Sequence, residues 1–167
     1  MWISKKTDYA TRAVLALALA GARGGEPLKM HEIAARTRVP ESLLEQILAQ
    51  LRGAGIVRSE RGPHGGYRLN HPPEDLTLER VVRLFQGPLA PISCATRSAP
   101  EPCPMEVGCT LHDTWSEVRD ATIAILERRT FADLARRAGG PWIHLAGAAP
   151  KARAAARRRS ARGGERG

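Results

Sequence analysis

The chain has 167 residues, 43% of them hydrophobic and 4% aromatic, with 26 Lys and Arg against 17 Asp and Glu. That length holds one ordinary core plus appendages, and three cysteines, an odd number, argue against a disulfide framework. No stretch reaches the ~18 apolar residues of a membrane span, so a cytoplasmic protein with reduced thiols is expected.

Near the amino terminus, Lys5 and Lys6 precede an Ala/Leu run, Ala13 to Ala20, that loosely mimics a secretory signal. Asp8 and Arg12 interrupt it where the apolar core of a signal should begin. Tyr9, Ala13, Val14, Leu17 and Ala20 recur at helical spacing, so the segment reads as a first helix. Met30 to Thr37 is a short helical pattern, and after Arg38 and Val39 a proline, Pro40, is placed for the first position of another helix. This one runs to about Arg52, with Leu44, Ile47, Leu48 and Leu51 on one face and Ser42, Glu45, Gln46 and Ala49 on the other, and Gly53 and Gly55 end it. Two helices across a tight turn make a helix-turn-helix, whose second helix enters the DNA major groove, although an αα-hairpin of a small bundle reads similarly.

Ile56 to Ser59 and Tyr67 to Leu69 read as short strands around the glycine-rich tip Glu60-Arg61-Gly62-Pro63-His64-Gly65-Gly66. A helix-turn-helix followed by a basic hairpin is a winged helix. Arg58 and Arg61 are its expected DNA-facing cations, with Arg61 able to reach phosphate or a narrow minor groove. Gly65 and Gly66 are expected to supply positive φ and close backbone approach to DNA. His64 is either a phosphate contact or a solvated loop residue. Neither G-x-x-x-x-G-K nor G-x-G-x-x-G is present, which argues against a nucleotide-cradling loop. Beyond Pro72 and Pro73, Leu76 and Thr77 can cap a helix with Leu78, Val81, Val82, Leu84 and Phe85 as its apolar positions.

Cys94, Cys103 and Cys109 crowd into sixteen positions with His112 just beyond, a C-x8-C-x5-C-x2-H array in a loop interrupted by glycine and proline. Soft thiolates so placed point to a metal centre. The first gap is long for a zinc knuckle, and an iron-sulfur cluster, wider than one ion, suits it better. A structural zinc at Cys94, Cys103, Cys109 and His112 is a second reading, and three unrelated thiols a third. A thiol-redox enzyme would need a C-x-x-C, H-E-x-x-H or Ser-His-Asp set that does not accompany them.

From about Thr110 to Arg128 runs the longest helical pattern, with Leu111, Trp115, Val118, Thr122 and Ile125 at spacings of three and four. Such a stripe either packs on the chain's own first helix or joins two subunits, and a homodimer reading two half-sites of double-stranded DNA is the preferred expectation. A short helical piece, Phe131 to Ala138, precedes a Gly139-Gly140-Pro141 break. Residues 151 to 167 then hold seven Lys and Arg against Glu165, a balance of +6 that leaves +3 of the total +9 for residues 1 to 150. Lacking apolar periodicity, the tail reads as disordered, with non-specific attraction to nucleic acid as a by-product. The expected fold is therefore mainly α with a small β-wing. Residues 1–87 form a winged helix-turn-helix, 88–110 a cysteine-rich loop, 111–138 a dimerisation helix with a terminal helical piece, and 139–167 a basic tail.

The phrases Leu44-Glu45-Gln46-Ile47-Leu48, Leu51 to Val57 and Arg61 to Leu69, followed by three cysteines and a long helix, resemble the Rrf-two family of bacterial transcription regulators over about residues 1 to 138. The resemblance implies a transcriptional regulator, expected to be a repressor, whose binding to a palindromic operator is controlled by an iron-sulfur cluster on Cys94, Cys103 and Cys109. It also implies that Glu45 and its neighbours meet bases and that Arg61 enters the minor groove. The fourth ligand separates two branches. Cys109-Thr110-Leu111-His112 with Trp115 is similar to the IscR branch, where the histidine completes a two-iron cluster. Thr7-Asp8-Tyr9 is similar to the NsrR branch, where an aspartate given by the partner subunit ligates a four-iron cluster that senses nitric oxide. The long first gap favours the second, with Asp8 as ligand and His112 as a donor behind the ligands. The plainer reading of Asp8 is a charge at a helix N-terminus favoured by the macrodipole.

Overall fold

The computed structural model describes residues 3–22, 26–98, 102–103, 105 and 108–138. The elements among them follow in the order α1 (Lys5–Ala22), α2 (Met30–Thr37), α3 (Glu41–Gly53), β1 (Val57–Glu60), β2 (Gly66–Leu69), α4 (Leu78–Gln86), a 3-10 turn (Ser93–Ala95), α5 (Thr110–Glu127) and α6 (Phe131–Arg137). This is the expected mainly α winged helix with a two-stranded antiparallel wing.

Helix α1 is the central post. Ala10, Ala13 and Val14 are fully buried and Leu15 to Ala18 nearly so, because α2, α3, α4, α6 and β2 all pack around it. From Ala13 to Ala18 the helix is enclosed on every side and so apolar on every side, and this is why its sequence imitates a signal segment. No helix among the described residues is long and apolar enough to cross a membrane.

Helices α2 and α3 meet at Arg38, which closes α2 in the left-handed region with φ 57°, while Val39 beside it is buried. Pro40 caps α3 instead of opening it. Its ψ of 135° is extended, and its carbonyl accepts the N–H groups of Leu43 and Leu44 at 3.1 and 2.9 Å, so Glu41 is the first helical residue. The wing also starts one residue late. Ile56 precedes the strand, its N–H drawn back to the Leu51 carbonyl at 2.9 Å while its own carbonyl accepts the Asn70 N–H at 2.9 Å. Val57 then pairs with Leu69 and Glu60 with Gly66, and Leu28 adds a third edge through reciprocal bonds with Tyr67 at 3.0 and 2.8 Å.

Thr77 caps α4 as expected, its Oγ1 accepting the Arg80 N–H at 3.3 Å. Leu84, expected on the apolar face, is exposed. It lies two positions past the buried Val82, about 200° round the helix at 3.6 residues per turn. Val82, Leu89 and Ile123 make a small second core that joins α4 to α5. The chain then turns back, with Leu78 N–H on the Arg129 carbonyl at 2.7 Å and Phe131 N–H on that of Leu76 at 2.9 Å. Phe131 is fully buried in the main core, so α6 packs on α1 inside the winged-helix body although it follows the long helix in sequence. The Gly139-Gly140-Pro141 break and the basic tail lie outside the described residues.

Candidate functional site

Ser42, Glu45 and Gln46 are exposed on α3, on the side away from the Leu44, Ile47, Leu48 and Leu51 stripe that anchors the helix. On the wing, Arg58 stands opposite Arg68 across the hairpin. Like charges in that position repel, and Glu60 lies with both, 3.4 Å from Arg58 Nη2 and 3.0 Å from Arg68 Nε. The second contact is off the hydrogen-bond direction and counts as an ion pair only. One carboxylate between two guanidinium groups leaves a net positive face. Arg68 was missed from the sequence, although period-two alternation from the opposed Arg58 could have found it. Arg61 and His64 are exposed at the tip. His64 Nδ1 lies 3.8 Å from the Glu26 carboxylate in open solvent, a weak contact at best.

The wing glycines do not supply the positive φ expected of them. Positive φ occurs at Gly62 (111°) and not at Gly65 or Gly66. A Cβ at Gly65 would collide with the Glu60 carbonyl, and one at Gly66 would sit 2.6 Å from the Leu28 carbonyl. Both glycines are thus required by close approach within the wing itself.

Cys94 lies in the 3-10 turn, Cys109 caps the start of α5 and Cys103 lies between, all three free and half-buried. Desolvation pushes the Cys94 thiol above its ordinary range, followed by the charge of Cys103, whose side chain also hydrogen-bonds it, and lastly by Cys109. The Cys94 thiol thus feels both of the other two. Crowding that opposes thiolates in the apo chain is reversed by a cation among them, which is the chemistry of a thiolate donor set. By donor type the three thiols suit such a centre, although among the described residues no group of three or more Cys, His, Asp or Glu is placed to hold a metal ion. His112 stands one turn beyond Cys109, its N–H on the Cys109 carbonyl at 3.1 Å and its Nδ1 3.6 Å from Asp113.

Asp8 is elsewhere, in the first turn of α1, where Arg12 holds it by an ion pair of 2.6 Å and a hydrogen bond from Nε of 3.1 Å. Both line a cavity of about 350 Å³ with Thr11, Leu15, Leu78, Phe131 and Leu134. Asp8 is not among the groups that act on Cys94 of its own chain.

Along α5, Leu111, Trp115, Val118 and Ile125 are 65, 38, 41 and 53% exposed, and Thr122 is half-buried with its hydroxyl on the Val118 carbonyl at 2.8 Å. The stripe does not pack on the chain's own first helix. It is an exposed apolar face of the kind that marks an association surface.

A family model described as an iron-dependent transcriptional regulator, Rrf2, matches residues 3–137. The chain belongs to the Rrf2 family. A putative Rrf2-like helix-turn-helix regulator of Rhodobacter capsulatus is 38% identical over 86% of this chain and 97% of its own length. The solved structure of CymR, described as the global cysteine regulator of B. subtilis, superposes with a TM-score of 0.65 at 31% identity, covering 82% of this chain and 98% of CymR. IscR of T. potens does so with a TM-score of 0.66 at 28% identity, covering 83% and 88%. As an Rrf2 protein the chain is a DNA-binding helix-turn-helix transcriptional regulator and not an enzyme, which sets the thiol-redox reading aside.

Proposed function

We propose that this Rrf2 regulator is a homodimeric repressor whose hold on a palindromic operator is set by an iron-sulfur cluster on Cys94, Cys103 and Cys109. CymR and IscR fit the chain equally well in shape, so the fold does not choose between them. The observation that carries the reading is the run of three half-buried free thiols that leads from the 3-10 turn into α5, the helix with the exposed apolar stripe. Such a protein works in the cytoplasm, where thiols stay reduced.

When bound, the cluster supplies a redox- and nitric-oxide-reactive centre whose loss alters the local charge and the loop held around it. The chain's own residues do the rest. Cys94 and Cys109 fix the two ends of the loop, on the 3-10 turn and on α5. Asp8 of the partner subunit would complete the donors of a four-iron cluster. A carboxylate is the harder and more replaceable ligand, which suits a sensor. The second reading, His112 with a two-iron cluster, is favoured by its place one turn beyond Cys109 in the same chain. Ser42, Glu45 and Gln46 read bases. Arg58, Arg61 and His64 hold the backbone or minor groove, with Gly65 and Gly66 shaping the tip. Leu111, Trp115, Val118, Thr122 and Ile125 join the subunits, so that a tilt between them weakens the grip on both half-sites together.

Anaerobic isolation with iron, sulfide and visible absorption measured tests this. A coloured protein is expected, bleached by nitric oxide, with each of Cys94→Ala, Cys103→Ala and Cys109→Ala losing the iron while remaining folded. A colourless protein with one zinc per chain would replace the cluster by a structural zinc, and full iron in any single variant would remove that cysteine from the site.

A further inference from the structure

The turn that carries Cys94 is gripped from α5 by a set of groups that the reading above does not use. Arg119 has a side chain only 13% exposed. Its Nη1 donates to the carbonyl of Ala95, the residue after Cys94, and its Nε donates to Asp120 Oδ1 at 2.7 Å. The same Oδ1 lies 2.9 Å from Arg97 Nη2, two residues past the turn. One carboxylate thus ties together a guanidinium on α5 and another on the loop, and the first of these holds the backbone next to a thiol. The arrangement is directional. Charge-assisted bonds of this kind are about twice as strong as neutral ones, and two anchor points, at Ala95 and at Arg97, fix the orientation of the turn as well as its distance. Arg119 also follows Val118, a member of the exposed α5 stripe. The helix therefore presents one edge to a second subunit and the adjacent edge to the cysteine turn.

We propose that Arg119, Asp120 and Arg97 form a positioning clamp that fixes the Cys94 turn on α5 and transmits the state of the cysteine site to that helix. The transmission rests on the cluster reading above, whereas the fixing of the turn does not. The turn also packs on α5 directly, with Ala95 fully buried, and the clamp adds direction to that contact.

Full-length protein, reduced and metal-free, is treated with iodoacetamide, and alkylation of each cysteine is followed by mass spectrometry. Arg119→Ala is expected to speed Cys94 about tenfold relative to Cys109 in the same molecule, as for any segment whose local opening becomes easier. Arg119→Lys, which keeps a charge and a donor, should restore most of the protection. An unchanged ratio of Cys94 to Cys109 overturns the clamp, and so does equal acceleration of all three thiols, which marks a loosened fold. If Arg119→Ala does not fold, Asp120→Asn is judged by the same ratio. In protein loaded with iron and sulfide, the clamp variant should keep its iron while the ratio of operator affinity with and without iron falls toward one. A wild-type ratio overturns the transmission. If wild type takes up no iron, the cluster reading fails and the alkylation ratio alone judges the clamp.

Discussion

Glu45 stands on the exposed face of α3 with its own helix anchored by fully buried leucine and isoleucine side chains. A carboxylate at that place accepts from a cytosine amino group, a contact worth ~1–3 kcal/mol of discrimination at its base pair. Glu45→Ala should therefore relax sequence choice while total affinity for DNA changes little. A randomised-operator selection checks it, and identical base preferences for the two proteins would refute the role given to Glu45. Asp8 poses a second question at the same scale, because its partner in the chain itself is Arg12. If Asp8 ligates across the dimer, Asp8→Ala lowers iron content and changes the visible spectrum more than His112→Ala does. The opposite order would place the fourth ligand on His112 and the cluster in the two-iron class.

At the scale of elements, the wing is held by its glycines. A methyl group at Gly66 would meet the Leu28 carbonyl at 2.6 Å, and that carbonyl accepts the Tyr67 N–H that makes the third edge. Gly66→Ala should cost ~1–3 kcal/mol, as overpacking of a rigid contact does, seen as a lower midpoint in urea. Wild-type stability combined with weakened DNA binding would return Gly66 to a direct role at the DNA. Among the described residues the Leu111, Trp115, Val118 and Ile125 edge of α5 stays exposed. Trp115→Asp places a charge in that edge and leaves the two cores untouched, so it should give a folded monomer by sedimentation with sharply weaker operator binding. A dimer that survives the change would move the subunit contact away from this stripe.

Over the whole molecule, the parts legible in the sequence are those whose cause is local. Helix α2 begins and ends at the residues its pattern indicates, and Thr77 caps α4 through its own hydroxyl. Pro40 and Ile56 each missed by one position, Pro40 because its extended ψ makes it the cap whose carbonyl takes the first helical bonds, and Ile56 because its N–H turns back to Leu51. Packing of α6 on α1, the Leu28 contact that requires Gly66, and the links from Arg119 to Ala95 and from Asp120 to Arg97 depend on residues far apart in the chain, and no spacing encodes them. Charge is different, because its distribution is a property of the sequence as a whole. Residues 151 to 167 hold seven of the 26 cationic side chains, while Ser42, Glu45, Gln46 and Arg61 all lie in the winged helix. Deleting the tail should then lower affinity for all DNA together. Each cation withdrawn from a phosphate reduces the slope of log K against log salt by ~0.9, so the truncated protein should show a shallower salt dependence with the same ratio of operator to random-DNA affinity. Iron content should stay the same, since none of the three thiols is removed. An unchanged salt slope with a loss confined to the operator would instead make the tail a sequence-reading element.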